Sequence, residues 1–287
     1  MLTISSVKSG HAGSYYTEPQ CGTYRSEWSG NGAKHLGLNG DVKAEDFRAL
    51  LEGYSPSGEP IFIRRNSNRI AGFDATISAP KSISLAVLYD GDERILNAHK
   101  EAVQGVIHEL ESGLQVRVRQ GKDSVYYPTE GLAIANFQHT LSRAYDPHLH
   151  NHLVIMNAAR FSGEWRSVYA RRGLYERVKE IGQCYRDALA DRVHKLGMKV
   201  RETGNGLWEL AQYPVDILRE FSQRRVGIEH MVGADSSTRK RHYASLHLRG
   251  KKNEAPLMEL YYQWKQRYKK VNVQTKVIAH NQINPSR

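Results

Sequence analysis

The sequence predicts an α+β fold, in which one antiparallel sheet packs with long helices and a basic helical segment follows. Strand-like apolar runs occur at residues 132–137 and 152–156, with a polar stretch between them. Between residues 95 and 114, apolar side chains recur at intervals of three and four, which is typical of an amphipathic helix. Together these observations favour a sheet with helices packed against it.

The N-terminal half supplies a first helix and several strands. A helix is predicted over residues 41–52 because the pattern stops at Gly53, a common residue at helix ends. Residues 54–69 are rich in Ser, Pro, Gly, Asn and Arg and are predicted to form a loop. Further strands are predicted over residues 73–77, 83–89, 116–119 and 125–127.

The C-terminal half begins with strands and ends in helices. Gly163 and Glu164 indicate a hairpin turn, and a long helix is predicted over about residues 174–196, with Gly197 just past its end. A short strand is predicted over residues 206–210. The chain then becomes helical and increasingly basic, so we divide it into a domain over 1–230 and a basic helical segment over 231–287.

Composition excludes several classes of protein. The 287 residues are 40% hydrophobic and 25% charged, which is ordinary for a globular protein. No apolar run approaches the roughly 20 residues that span a bilayer, and the N-terminus lacks the apolar core of a signal peptide. Cys21 and Cys184 match no metal-binding spacing, so we expect free thiols in a reducing cytoplasm.

The net charge of +11 is concentrated near the C-terminus. Residues 239–270 contain ten Lys or Arg and two Glu, a net charge of +8, with five Tyr or Trp among them. Basic side chains can neutralise phosphates and aromatic rings can stack on bases, so we favour nucleic-acid binding over a merely solvated helical face.

Three histidines, His139, His150 and His152, predict a metal site. His150 and His152 are two residues apart in a strand, so their side chains face the same side. His139 follows the strand predicted over 132–137, and the three rings converge if the two strands are neighbours. Imidazole is the commonest protein ligand of transition metals, and three protein ligands with open positions are typical of a catalytic metal. We therefore predict an enzyme.

Four ordered motifs and a shorter fifth one resemble the MobF-type conjugative relaxases of the HUH endonuclease superfamily. These relaxases are the N-terminal nicking domains of plasmid relaxase-helicases. The motifs occupy residues 14–16, 28–38, 72–82, 139–152 and 163–166. The resemblance covers roughly residues 1–210, whereas residues 215–287 share only the basic helical character.

The resemblance implies a palm, a five-stranded antiparallel sheet flanked by helices, with C-terminal helical fingers over the DNA. Residues 1–230 would be the catalytic palm and residues 231–287 the DNA-clamping segment. The implied activity is site- and strand-specific nicking and strand transfer at a plasmid origin of transfer, which initiates conjugation. A tyrosine becomes joined to the 5′ phosphate, and because a phosphoester bond is preserved, no ATP is needed.

The tyrosines are the implied nucleophiles. Tyr15 aligns with the first tyrosine of the family's leading pair, and we expect it to attack phosphorus. The family often carries a second pair, but only Tyr24 stands in the corresponding place, so Tyr16 and Tyr24 are the candidates for a second strand transfer. A phenol has a pKa near 10 and attacks poorly at neutral pH without activation, which a metal on the scissile phosphate could supply.

Asp74 lies in the motif of residues 72–82, and two roles are open for it. It could orient a metal-binding histidine through the non-ligating nitrogen, or it could take the tyrosine proton as a general base. We favour the orienting role, because an ordinary Asp is a weak base. His148 lies two residues before His150 but follows Pro147, and the family motif passes over it. We therefore expect His148 to be a loop residue.

Several basic residues are candidates for phosphate contacts. Arg143 could touch DNA or could instead pair with Asp146 and shape the loop between the histidines. Lys81, which follows Pro80, is a similar candidate. The complete set of DNA-binding candidates is Lys81, Arg143, Arg239, Lys240, Arg241, Lys251 and Lys252.

The implied cofactor is one divalent metal ion. Imidazoles suit Mn²⁺, Zn²⁺, Co²⁺ or Ni²⁺ better than Mg²⁺, but Mg²⁺ is abundant and phosphate and water oxygens could complete its shell. We favour Mg²⁺ or Mn²⁺. The implied partners are single-stranded and hairpin DNA at the origin, relaxosome accessory proteins and a type IV secretion coupling protein. The implied location is the bacterial cytoplasm, with possible transfer to the recipient cell on the DNA.

Two other functions remain open from the residues alone. A three-histidine hydrolase acting with metal-bound water would need no tyrosine, and a DNA-binding module would need no catalytic centre. The chain contains no Gly-x-x-x-x-Gly-Lys-Ser/Thr motif, so we expect no P-loop helicase within these residues.

Overall fold

The computed structural model describes residues 1–9, 16, 23–61, 69–233, 235–248 and 256–283, with the backbone alone at residues 23, 24, 238, 242 and 274–283. The strands are β1 (Leu2–Lys8), β2 (Thr23–Ser29), β3 (Ile70–Ser78), β4 (Gln115–Gln120), β5 (Asp123–Pro128), β6 (Gly131–Leu141), β7 (Pro147–Phe161), β8 (Glu164–Arg166), β9 (Val200–Gly204) and β10 (Leu207–Leu210). The helices are α1 (Asn31–His35), α2 (Ala44–Glu52), α3 (Lys81–Leu88), α4 (Glu93–Gly113), α5 (Val178–Lys195), α6 (Val215–Glu220), α7 (Gln223–Val232), α8 (Thr238–His247) and α9 (Leu257–Ile283), with a π-helical turn at Arg171–Tyr175.

The main sheet is antiparallel and has the order β1-β3-β7-β6-β2. Its central pair, β6 and β7, is joined by a short turn, and β7 is long enough to pair with the short strand β8 beyond the end of β3. The predicted five-stranded palm is therefore confirmed, with β8 as a small addition. The hairpins β4–β5 and β9–β10 form separate two-stranded sheets.

Alternation along the central strands divides the apolar side chains between two cores. One core contains residues such as Ile134 and Leu153 and packs against α4 and α5. The other contains residues such as Phe137 and Val154 and packs against Phe47 of α2. Because successive strand residues face opposite sides, the register of β6 and β7 determines which side chains enter each core.

Most of the predicted helices and strands are confirmed. Helix α2, predicted over residues 41–52, ends at Gly53, which has a left-handed φ of 95°. Gly197 has a φ of 80° just past α5. The hairpin turn before β8 is made by Ser162 and Gly163, both with positive φ. The long helix predicted from about residue 174 begins at Val178, after the π-helical turn.

The strand predicted over residues 83–89 is wrong, because these residues belong to helix α3. Residues 82–86 are all buried, so the apolar run carries no periodic signal that separates a buried helix from a strand. The carboxylate of Glu209 in β10 accepts hydrogen bonds from the first backbone N–H groups of α3, at Lys81 (3.2 Å) and Ser82 (2.7 Å). This helix is therefore capped by a residue more than 120 positions away.

The C-terminal helix α9 contributes to the core of the palm. Leu260 and Trp264 are buried in the same core as α4 and α5, and the indole N–H of Trp264 donates to the carbonyl of Tyr145 at 2.9 Å. The basic segment of residues 231–287 therefore shares its apolar contacts with residues 1–230. Removing the segment would expose part of that core, so its role in DNA binding is better tested by point substitutions.

A chain of polar side chains lies on the helix side of the sheet. The ring of His99 in α4 is fully buried, with Nδ1 at 2.7 Å from the Tyr185 hydroxyl and Nε2 at 2.7 Å from the Asn151 amide oxygen. The Asn151 amide in turn donates to Asn136 at 2.8 Å. Burial lowers the pKa of His99 to about 4, so the ring stays neutral and satisfies both partners.

None of the helices in the described ranges has the length and apolar character needed to cross a bilayer.

Replacing Trp264 by Ala should lower the free energy of unfolding by about 3 kcal/mol or more, because it leaves a cavity in the shared core and removes the hydrogen bond from the indole to the Tyr145 carbonyl. Urea unfolding measures the change. The matched control is Tyr262→Ala on the same helix, where the side chain is 63% exposed and the expected change is within about 0.5 kcal/mol. Equal effects of the two substitutions would show that α9 does not belong to the core.

Candidate metal and strand-transfer site

The three predicted histidines converge on one point. His139 in β6 lies directly opposite His150 in β7, and His152 is the next residue on the same face of β7. The ring centroids are 5.3 Å (His139–His150), 5.0 Å (His139–His152) and 5.2 Å (His150–His152) apart. One nitrogen from each ring lies within 4.8 Å of the others. The geometric condition stated from the sequence, that the two strands be neighbours, is met.

Hydrogen bonds at Nδ1 set the orientation of two of the rings. His152 Nδ1 lies 2.8 Å from Asp74 Oδ2 and 3.1 Å from the Thr76 hydroxyl, and both residues are on the adjacent strand β3. His150 Nδ1 lies 2.8 Å from the carbonyl oxygen of His148. A ring whose Nδ1–H donates to an oxygen carries its lone pair on Nε2. These contacts therefore select the tautomer that a metal ligand requires.

The donor set fits a divalent metal ion. Three imidazole nitrogens from rigid strands form an open set of ligands, and the carboxylate behind His152 is the usual second partner of a metal-binding ring. His139, His150 and His152 are the residues that would hold such an ion. Imidazole donors suit borderline divalent metals, and they leave coordination positions for phosphate and water.

His148 is a strand residue and not the predicted loop residue. It is the second residue of β7, two positions before His150, so its ring lies on the same face and stacks on that of His150 with centroids 4.6 Å apart. Burial, followed by the neighbouring His150, holds the pKa of His148 well below its ordinary value. Pro147 did not prevent strand formation, because it occupies the first position of the strand, where proline is tolerated.

Tyr16 is buried beside the histidines. Its hydroxyl donates to Asp74 Oδ2 at 2.8 Å, and its ring stacks on Phe137 and meets the ring of His152 edge-on at 5.6 Å. Asp74 therefore holds Tyr16 and His152 with the same carboxylate oxygen, while its other oxygen accepts from the Thr76 hydroxyl at 3.0 Å. The Asp74 carboxylate is buried and accepts hydrogen bonds from these three donors.

Some predicted site residues lie outside the described part of the chain. Tyr15, Lys251 and Lys252 fall in ranges that the structure does not describe, and Tyr24 is described only as a backbone position in β2, next to Thr23, which pairs with His139.

The partly buried Lys81 and the buried Asp146 are both charged groups at the end of the β6–β7 turn. The ammonium of Lys81 donates to the carbonyl of Pro147 at 2.6 Å. Burial lowers the pKa of Lys81 to about 8, although Asp146 and Glu209 act in the opposite direction. Asp146 is paired with Arg267 of α9, which settles the open question of its partner. Arg143 lies in the same turn and is partly exposed.

The remaining DNA-binding candidates lie on α8. Arg239 and Lys240 are exposed and Arg241 is partly exposed. The exposed cations Lys265, Lys269 and Lys270 follow on α9. Positive charge is therefore available at the surface of both helices, whereas Arg267 pairs with Asp146 and Glu220.

Sequence reasoning missed two contacts of the site. Thr76 bonds both Asp74 and His152, and its position two residues after Asp74 in a strand could have indicated a shared face. The pairing of Arg267 with Asp146 had no local signal, because the residues are 121 positions apart.

Comparison with known proteins identifies relatives of the whole described fold. A family model described as TrwC relaxase matches residues 4–271. Two curated proteins named multifunctional conjugation protein TraI, from Escherichia coli and its strain K12, are 36% identical over 269 residues and 35% identical over 268 residues. Each match covers 88% of this chain and 15% of the relative, so the chain spans only a small part of these proteins.

Solved structures of the conjugative relaxase TrwC have the same fold. A metal-bound and a copper-bound complex with oriT DNA each superpose with a TM-score of 0.87 at 32% identity, covering 95% of this chain and 99% of the other. A complex with a 27-mer DNA comprising the recognition hairpin and the cleavage site gives a TM-score of 0.84 at 32% identity and the same coverage. The family match over residues 4–271, the identity to TraI and the likeness to TrwC confirm the resemblance seen in the motifs: the chain belongs to the TrwC relaxase family, the MobF-type conjugative relaxases.

Proposed function

We propose that this chain nicks one DNA strand at a plasmid origin of transfer and becomes joined to the new 5′ phosphate through Tyr15. The observation that carries the proposal is the three-histidine cluster supported by Asp74, within a fold that matches TrwC complexes with oriT DNA. Strand transfer from this intermediate would initiate conjugation. The activities of any longer protein that contains this domain are not part of the proposal.

The transfer step exchanges one phosphoester for another. The phenolic oxygen of Tyr15 attacks phosphorus, the bond between phosphorus and the 3′ oxygen breaks, and a phosphotyrosine remains. The proton lost by the phenol is balanced by the one that the leaving 3′ oxygen gains. The reaction therefore needs no external energy source and is reversible.

Tyr15, rather than Tyr16, is assigned as the nucleophile. The Tyr16 hydroxyl donates to Asp74, and its ring is packed between Phe137 and Phe47 in the core. A hydroxyl in that position supports the site from inside and is poorly placed to reach a phosphodiester. Tyr24 then remains the candidate for a second strand transfer.

Asp74 is proposed to position His152 and Tyr16. It accepts from the phenol, the imidazole and the Thr76 hydroxyl, so three of its roughly four acceptor positions are occupied. This supports the orienting role that we favoured over the general-base role.

A bound divalent ion, Mn²⁺ or Mg²⁺ in our proposal, would polarise the scissile phosphate and neutralise the charge that develops on it. His139, His150 and His152 hold their nitrogens on one face of the β6–β7 hairpin, so an ion held there would meet the phosphate on that side of the sheet.

DNA binding is proposed to use the exposed cations of α8 and α9. Arg239 and Lys240 are exposed on α8, and Lys265 is exposed on α9, which is anchored to the palm through Trp264. Phosphate contacts of this kind are not sequence-specific and weaken as salt concentration rises. Hairpin and single-stranded DNA of the origin are the proposed ligands, with relaxosome accessory proteins and a secretion coupling protein as further partners in the bacterial cytoplasm.

Replacing His139, His150 or His152 by Ala should each lower the yield of covalent protein–DNA adduct by at least about 100-fold, because two imidazoles hold the ion weakly. The adduct is measured as a denaturation-resistant species after incubation with labelled cognate origin DNA and Mn²⁺. The matched control is His148→Ala, which retains the backbone carbonyl bonded to His150 and should keep most of the activity. Wild-type adduct yield from His150→Ala at limiting Mn²⁺ would contradict the metal site.

Replacing Tyr15 by Phe should abolish the adduct and leave the affinity for origin DNA unchanged, because only the attacking oxygen is removed. Peptide mapping of the trapped wild-type adduct identifies the modified residue. Modification of Tyr16 or Tyr24 alone would refute the assignment, and cleavage without any adduct would favour the hydrolase that uses metal-bound water.

Replacing Asp74 by Asn should weaken Mn²⁺ binding by about 10- to 100-fold, because the carboxylate supports a metal-binding ring. If Asp74 orients His152, saturating Mn²⁺ should restore most of the cleavage rate. If Asp74 is instead the general base, cleavage should stay slow at saturating Mn²⁺. Asp123→Asn, at the exposed first position of β5, makes the same change in charge and should alter neither quantity.

A further inference from the structure

The turn between β6 and β7 joins the two strands that carry the histidines. His139 and His150 pair across the hairpin, and the register shifts between His139 and Leu141, just before the turn. Ser142 closes the turn by accepting from the Tyr145 backbone N–H at 3.1 Å and donating its own N–H to the Asp146 carbonyl at 3.0 Å. Tyr145 has a φ of 56°, a left-handed conformation that costs free energy in a residue other than glycine.

The C-terminal helices hold this turn from outside. Both terminal nitrogens of Arg267 in α9 donate to Asp146 Oδ1 at 3.0 Å, and the backbone N–H of Gln223 at the start of α7 donates to Oδ2 at 2.8 Å. Trp264, one helical turn before Arg267, donates to the carbonyl of Tyr145 at 2.9 Å. Two consecutive residues of the turn are therefore fixed by one face of α9.

Arg267 is itself held in place. Its Nε donates to the Glu220 carboxylate at 2.9 Å, and its guanidinium lies 4.7 Å from the centre of the Phe221 ring. A planar guanidinium fixed on three sides can position a carboxylate in a way that a flexible ammonium cannot.

The ion pair between Asp146 and Arg267 is not explained by a contribution to the free energy of unfolding alone. Asp146 is only 1% exposed, and burial raises its pKa above the ordinary value even though Lys81 and Arg267 act in the opposite direction. The folded state therefore binds the Asp146 proton more tightly than the unfolded chain, so the ionised carboxylate at neutral pH costs stability, and this cost disappears as the pH falls. Buried ion pairs of this kind often contribute little net stability but can fix a unique geometry.

We propose that Asp146 and Arg267 are positioning residues that couple the packing of α9 against the palm to the geometry of the three-histidine cluster. When α9 is packed against the palm, the turn holds β6 and β7 in the register that brings His139 opposite His150. The inference rests on the proposed metal-dependent function and adds a link between the helix that carries DNA-binding charges and the metal site. Coupling is reciprocal, so metal binding also favours the packing of α9 against the palm.

The test measures Mn²⁺ binding to the full chain by electron paramagnetic resonance, without DNA. Asp146→Asn and Arg267→Gln should each weaken the affinity by about fivefold or more. The double variant should bind Mn²⁺ no more weakly than the single variant with the lower affinity, because both substitutions remove the same coupling. The matched control is Arg225→Gln, which removes an exposed ion pair with Glu229 on α7 and should leave Mn²⁺ affinity unchanged.

Thermal unfolding of each variant separates positioning from a purely structural role. Variants that unfold at lower temperature but bind Mn²⁺ with wild-type affinity while folded would overturn the inference. Arg267→Lys should recover only part of the affinity, since it keeps the charge and loses the bonds to both carboxylates. If the wild-type chain binds no Mn²⁺, the proposed metal site fails and the coupling fails with it, whereas wild-type binding with unaffected variants refutes the coupling alone.

Discussion

The pairing of β6 with β7 is the constraint on which the rest of the site depends. It places His139 opposite His150 and brings His152 to the same face, where Asp74 and Thr76 of β3 reach it. A slip of one residue would turn the histidines toward the helices and bring Asn151 to the metal face. The two apolar cores also oppose this slip, because each accepts only one of the two alternating sets of side chains.

The opposite face of the same strands is also polar at this point. Asn136 and Asn151 bond each other behind the histidines, and His99 joins them to Tyr185 of α5. Directional hydrogen bonds on the back of the sheet resist rotation of the strand segment that carries the ligands. The central hairpin is therefore held by specific partners on both faces where the site requires accuracy, and by apolar packing elsewhere.

Local patterns predicted much of this arrangement. The two-residue spacing of His150 and His152, and the apolar periodicity between residues 95 and 114, reflect strand and helix geometry directly, and the structure has both. Helix α3 could not be predicted in this way, because its residues 82–86 are all buried and its N-terminus is capped by Glu209. The partner of Asp146 was equally hidden, since Arg143 is three residues away in the sequence and Arg267 is the residue that reaches it. His148 was misjudged because Pro147 was taken as a sign of a loop, although the first position of a strand tolerates proline.

The bond from Trp264 to Tyr145 also has a consequence for the order in which the chain is made. The two residues are 119 positions apart, and a ribosome adds about 5–20 residues per second. The hairpin that carries the histidines therefore leaves the ribosome on the order of 10 s before the helix that braces its turn. During that interval the palm exists with its C-terminal side uncovered and with Asp146 lacking Arg267. In a nascent chain the turn of the histidine hairpin would thus gain its contacts with Trp264 and Arg267 only after α9 has been made.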